Sequence, residues 1–166
     1  MRRLKYTLWI ALLFLVQTVI INDLRAFSVR PDIILPFVIL SALKEDSFKV
    51  SAVLSIVCAV LAGALCGKNF PFAVLFYTYT GAIVFNSKRK SRYMPTLLRY
   101  FLWIATAAVI SEAISYLILY KSLQWFLKTF ILYLIPSVIY TLIASALLYP
   151  VITSTLYKNS TKKHLI

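Results

Sequence analysis

The sequence predicts an all-α integral membrane protein, a bundle of six transmembrane helices, and three observations predict it. Hydrophobic residues make up 61% of the 166 positions and charged residues only 14%. The mean hydropathy is +0.86. The apolar residues gather into six runs, 6–22, 31–43, 50–67, 70–85, 97–120 and 125–149, separated by short polar segments. A water-soluble domain of this size leaves roughly a third of its surface exposed. A chain this apolar must have lipid as the solvent for much of that surface. A single transmembrane domain over residues 1–166 is expected, with no soluble domain and no long linker.

The first run follows the basic start MRRLK. It is longer than the roughly 7–15 residues of a signal-peptide core, and no A-x-A-like site follows it. An uncleaved signal anchor is the expectation. The second run, RPDIILPFVIL onward, is short: thirteen residues from 31 to 43 reach only about 20 Å as a helix, against a bilayer core of about 30 Å. Arg30, Pro31 and Asp32 read as a helix start, because a carboxylate suits the positive end of the helix dipole and proline is tolerated in the first turn. Pro36 falls within the first two turns and bends the helix or frees a carbonyl.

The third run carries a small residue at every fourth position: Ser51, Ser55, Ala59, Gly63 and Gly67. Residues four apart share a helix face, and a small stripe lets another backbone come close. It serves either as a face for a partner protein or as packing against a helix of the same chain, the ordinary case. The fourth run opens at Pro71 and leads into the basic loop NSKRKSRYMPTLLR, with Lys88, Arg89, Lys90 and Arg92. Such a loop contacts anionic lipid, at about 1 kcal/mol per basic residue, or docks a cytoplasmic protein. The fifth run holds Glu112, the one carboxylate well inside an apolar run. An ionisable group in lipid points at a partner or a cavity. The expectation is a structural hydrogen bond to Tyr77, Tyr79 or Thr141. A proton or cation site, or a contact with a basic group of another protein, is the alternative. The sixth run carries Pro136, which predicts a kink, a Ser137–Thr141–Ser145 seam, and Pro150, which predicts its end.

Charge sets the orientation. If all six runs cross, thirteen of the eighteen Lys and Arg lie on one side and five on the other. The positive-inside rule then places both termini in the cytoplasm. A second run that merely dipped in would turn the loop at 88–99 outward, so it is expected to cross, with a thinned bilayer or protein covering its ends. A hairpin of 50–67 and 70–85 that enters and returns satisfies the same rule with four spans.

Several function classes are disfavoured. The basic residues lie between apolar runs, not in a stripe interleaved with base-stacking aromatics, so no nucleic-acid partner is expected. Three glycines make no phosphate-cradling loop, and the single His lies in a polar tail. No catalytic site, cofactor or metal is expected. Cys58 and Cys66 lie about 12 Å apart along one helix, too far for a disulfide.

In this order of segments the chain resembles the rod-shape-determining MreD family of small bacterial inner-membrane proteins. The likeness rests on RPDIILPFVILSALK, the small-residue span VSAVLSIVCAVLAGALCGKN, the basic loop, a span with one acid (Glu112), and the closing IASALLYPVI. It covers nearly the whole chain in weak motifs. The family often carries an aspartate near the outer end of the small-residue span, where this chain has Ala62 or Gly63. The resemblance implies a non-enzymatic scaffold subunit of the cell-elongation complex in the bacterial cytoplasmic membrane. It implies pairing with an MreC-like single-span protein and a link between actin-like filaments and the peptidoglycan polymerase and transpeptidase. It also implies a fold similar to the substrate-binding subunits of energy-coupling-factor transporters, whose vitamin-binding activity is the alternative function. On the scaffold reading, Arg30, Pro31, Asp32 and Pro36, with Ser55, Ala59, Gly63 and Gly67, are candidates for the partner-binding surface.

Overall fold

A computed structural model describes residues 2–20, 31–65, 69–90, 94–119 and 123–157. Among the described residues there are six α-helices and no strand. They are α1 (Arg2–Leu15), extended by a π-helical turn (Val16–Ile20), α2 (Ile34–Lys44), α3 (Phe48–Leu65), α4 (Phe70–Lys90), α5 (Thr96–Leu119) and α6 (Leu123–Leu156). Arg30, Gly67 and Arg92 lie outside the described residues, as does Cys66. Arg89 and Lys90 are placed by their backbone alone, in the last turn of α4.

The short helix is the centre of the bundle. Every residue of α2 from Ile34 to Leu43 is buried, and α2 packs on α3, α4 and α5 with a smaller contact to α6. Its sequence, ILPFVILSALK, has no polar face, and a helix that is apolar all round belongs inside. Its eleven residues extend about 16 Å. Protein surrounds them, so their length need not match a bilayer.

The tightest pair is α3 with α4. Ser51, Ser55, Ala59 and Gly63 are buried on the α3 side. Gly81 faces them: a methyl group there would lie 2.1 Å from Ser55 Oγ and 2.8 Å from Ser55 Cβ. A methyl at Gly63 would lie 2.8 Å from Phe70 Cδ2. The contacts Ser55–Gly81 and Gly63–Phe70 step in opposite directions, so the two helices run antiparallel. The pairs Tyr100–Ser145 and Glu112–Ser137 show the same of α5 and α6. One end of the bundle, the basic end, collects Lys5, Lys44 and Lys88 through the contacts of Tyr6, Glu45 and Tyr157.

Two helical stretches, Thr96–Ser115 and Tyr133–Leu156, are long and apolar enough to cross a membrane by length and composition. Shorter apolar stretches cover Leu4–Val19, Ile34–Lys44 and Phe48–Ala64.

Two boundaries differ from expectation. α4 continues through Lys88 to Lys90 instead of ending near 85, because charge ends an apolar run without ending a helix. Lys88 therefore sits on a helix and not in a loop. Pro150 does not end α6, which runs on to Leu156. The proline lacks the N–H that would bond the preceding turn, but Ile152, Leu156 and Tyr157 are buried and hold the last turn in place. The Thr153 hydroxyl also donates to Tyr149 C=O at 2.6 Å.

Candidate functional site

The polar groups of the interior form two clusters, one at each end of α2. At its start, Asp32 is half-buried. Its Oδ1 accepts from the backbone N–H groups of Ile34 and Leu35 at 3.1 and 3.2 Å. That is the pattern of an N-cap carboxylate, although the regular helical backbone begins two residues later. The Tyr77 hydroxyl of α4 donates to Asp32 Oδ2 at 2.5 Å. The Asp32 N–H donates to Thr141 Oγ1 of α6 at 3.3 Å. Gln17, in the π turn after α1, uses both halves of its amide. Its Nε2 donates to Pro31 C=O at 3.1 Å, and its Oε1 accepts from Ile33 N–H at 3.0 Å. Irregular backbone in an apolar interior must find such partners. The π turn and α6 supply them here, and α4 anchors the Asp32 carboxylate through Tyr77.

Asp32 as a helix start thus follows the sequence expectation, but the segment does not form a surface. Pro36 and Ile33 are buried, and Pro31 is half-buried. Ser55, Ala59 and Gly63 are likewise buried between α3 and α4. The small stripe is spent on packing within the chain and offers no face to an outside helix. Gln17 and Tyr77 were not anticipated as partners of this segment. Gln17 had a signal, as the sole amide side chain well inside an apolar run. Tyr77 had none.

The second cluster follows the other end of α2. Glu45 is buried at 4% exposure and accepts a hydrogen bond from the Tyr6 hydroxyl of α1. Tyr6 has one proton to give, so the Tyr157 hydroxyl, 3.2 Å away, is the donor in their contact. Lys88 donates to Glu45 C=O at 2.8 Å and lies 3.6 Å from Asp46. Burial, and secondarily the Lys88 ammonium, lower the Lys44 ammonium below its ordinary range. Together the groups tie α1, α4 and α6 to the turn that follows α2.

The seam on α6 is a ladder of hydrogen bonds inside the bundle. Ser137, Thr141 and Ser145 are all buried. The Ser137 hydroxyl donates to Glu112 Oε1 at 2.6 Å, Thr141 receives Asp32, and Tyr100 donates to Ser145 C=O at 3.4 Å. Glu112 thus has a structural partner, Ser137, in place of the three expected: Tyr77 is engaged by Asp32, Thr141 by Asp32 N–H, and Tyr79 is exposed. Glu112→Gln keeps an oxygen acceptor for Ser137, so it is expected to change stability by less than about 1 kcal/mol. Thermal unfolding of the purified variant checks this.

Two grooves open on the outside. Between α1 and α3 lies a groove of about 1240 Å³, walled by Thr7, Ala11 and Thr18 on one side and Val50, Val53 and Val57 on the other. Between α4 and α5 lies a smaller one of about 440 Å³, near Tyr79, Ile83 and Trp103. Both arise where neighbouring helices splay. Cys58 is buried as a free thiol. Among the described residues no three His, Cys, Asp or Glu side chains gather closely enough to hold a metal ion. Compared with models of protein families, with characterised proteins and with solved structures, the chain matches none.

Proposed function

We propose that this chain is a non-enzymatic scaffold subunit of a bacterial cytoplasmic membrane complex, with six membrane-crossing helices and both termini in the cytoplasm. In this reading it receives the single span of an MreC-like partner in the α1–α3 groove. It thereby helps couple actin-like filaments to peptidoglycan synthesis, as its resemblance to the MreD family implies. The membrane setting is supported by an inverted distribution of side chains. Large aliphatics such as Leu8 (61% exposed), Ile143 (53%) and Leu147 (69%) face outward, while Ser41, Ser55, Thr141 and Ser145 are buried. Water would favour the reverse.

The observation that carries the docking role is the groove itself. Its volume of about 1240 Å³ matches about ten residues of a helix some 10 Å across. Its β-branched members Thr7, Thr18, Val50, Val53 and Val57 are stiff, and Ala11 admits close approach between the larger Phe14 and Leu15, as helix packing in lipid requires. Its lining is mostly apolar, with Glu45 and Lys49 as its charged members, so a partner helix finds chiefly apolar contact there.

The test is co-purification with the cognate single-span protein. Val53 and Val57 are 58% and 38% exposed, so Val53→Trp with Val57→Trp fills the groove without entering the core. We expect the captured partner to fall about tenfold, a loss of about 1.4 kcal/mol, with the melting temperature unchanged. Undiminished capture overturns the groove's role, and a vitamin retained through purification overturns the scaffold reading in favour of a transporter subunit.

A further inference from the structure

We infer that Arg99 and the first turn of α5 form a binding site for the phosphate of a phospholipid headgroup. Arg99 is only 9% exposed. One Nη donates to the Met94 carbonyl at 2.6 Å, which folds the guanidinium back over the entrance to α5. Its Nε is shut off from water and has no hydrogen-bond partner. A guanidinium is a permanent cation, and a buried charge without a counter-ion is strongly unfavourable.

The chain's own carboxylates do not supply one among the described residues. Asp32 is engaged by Tyr77 and the start of α2, Glu45 by Tyr6, Asp46 by Lys88 and Glu112 by Ser137. The fifth acid, Asp23, lies outside the described residues. An anion from another molecule completes the pairing in this inference.

The surroundings define its chemistry. Arg99 N–H is the first amide of α5 to find its helical acceptor, Pro95 C=O. The amides of Thr96, Leu97 and Leu98 precede it at the positive end of the helix dipole, and proline at the cap has no side-chain acceptor to offer them. A guanidinium held at Met94 C=O, together with the helix-start amides that follow Pro95, suits a tetrahedral oxyanion. The rim selects the carrier: Met94, Leu97 and Leu98 are 42%, 51% and 47% exposed. Apolar side chains around a cationic centre fit a headgroup with acyl chains beside it, and they do not fit a freely soluble phosphate. The basic sequence just before it, through Arg92, adds attraction for the anionic leaflet. The inference uses the membrane setting proposed above but is independent of the groove.

The test uses the full chain purified in detergent and stripped of lipid, with melting temperature followed as phosphatidylglycerol is added to the micelles. We expect a saturable rise, with one retained lipid per chain in native mass spectrometry. Arg99→Gln should weaken the apparent affinity about tenfold. Arg99→Lys keeps the charge but not the planar fork, so it should fall between the two. Should Arg99→Gln fail to fold, Arg99→Lys and retention of lipid by the unaltered chain decide the matter. An equal response in the variants overturns the site. An equal shift from millimolar inorganic phosphate alone overturns the lipid assignment in favour of a soluble phosphoryl ligand. No partner protein enters the assay, so its failure leaves the docking role standing.

Discussion

Gly81→Ala is expected to destabilise the folded chain by about 2 kcal/mol, the range for forcing an extra methyl group into a packed interior. The position allows little relief. The new methyl would sit 2.1 Å from Ser55 Oγ and 2.8 Å from Ser55 Cβ. The hydroxyl is already committed to Ser51 C=O at 2.9 Å, and the Cβ moves only with its helix. α3 and α4 must therefore part, and with them the surface on which α2 rests. Gly81→Leu is expected to leave no folded protein. The clash is specific to one residue, so Ser55→Gly should partly rescue Gly81→Ala, and a double-mutant cycle by thermal unfolding should show about 1–2 kcal/mol of coupling. Strict additivity would mean that the two helices do not meet at this point.

Asp32→Ala is expected to cost about 2–4 kcal/mol. The cap on the Ile34 and Leu35 amides accounts for about 0.5–2 kcal/mol. Removing the acceptor of the Tyr77 hydroxyl, which is buried at 1% exposure, adds about 1–3 kcal/mol. Asp32→Asn keeps an oxygen for both duties and should lose about 1 kcal/mol. The decisive readout is local: hydrogen exchange at Ile34 and Leu35 should accelerate in Asp32→Ala and only slightly in Asp32→Asn. Unchanged protection in Asp32→Ala would show that the cap contributes nothing and that burial alone holds the start of α2.

The sequence was most legible where one residue and its neighbours in the chain settle the outcome. A proline and an aspartate ahead of an apolar run mark a helix start, because the cap bonds reach only two or three residues along. A small residue every fourth position marks a close-packed face for the same reason. What the pattern left open was the partner of that face. An internal helix and an external one select the same small residues, and Gly81, the answering residue on α4, is an isolated glycine in an apolar run. Side-chain pairs between distant segments were least legible. Tyr77 bonds to Asp32 across 45 positions, and Gln17 to Ile33 across 16; such pairings depend on how whole helices are set against one another. Helix ends set by burial were also missed. Lys88 stays helical because the α2–α3 turn engages its ammonium, and α6 passes Pro150 because its last turn is buried.

The central position of α2 has a consequence for how the protein is made. This helix leaves the ribosome before α3 to α6, yet part of its satisfaction comes from α6. Asp32 meets Thr141 across 109 positions, and Tyr6, which holds the other end, meets Tyr157 across 151. During synthesis the segment must wait, with its Asp32 amide open, until α6 has been delivered. A nascent chain halted before α6 carries a helix with no settled place. Quality-control proteases thus have a ready mark for incomplete molecules, and a holding chaperone has its longest task at the shortest helix.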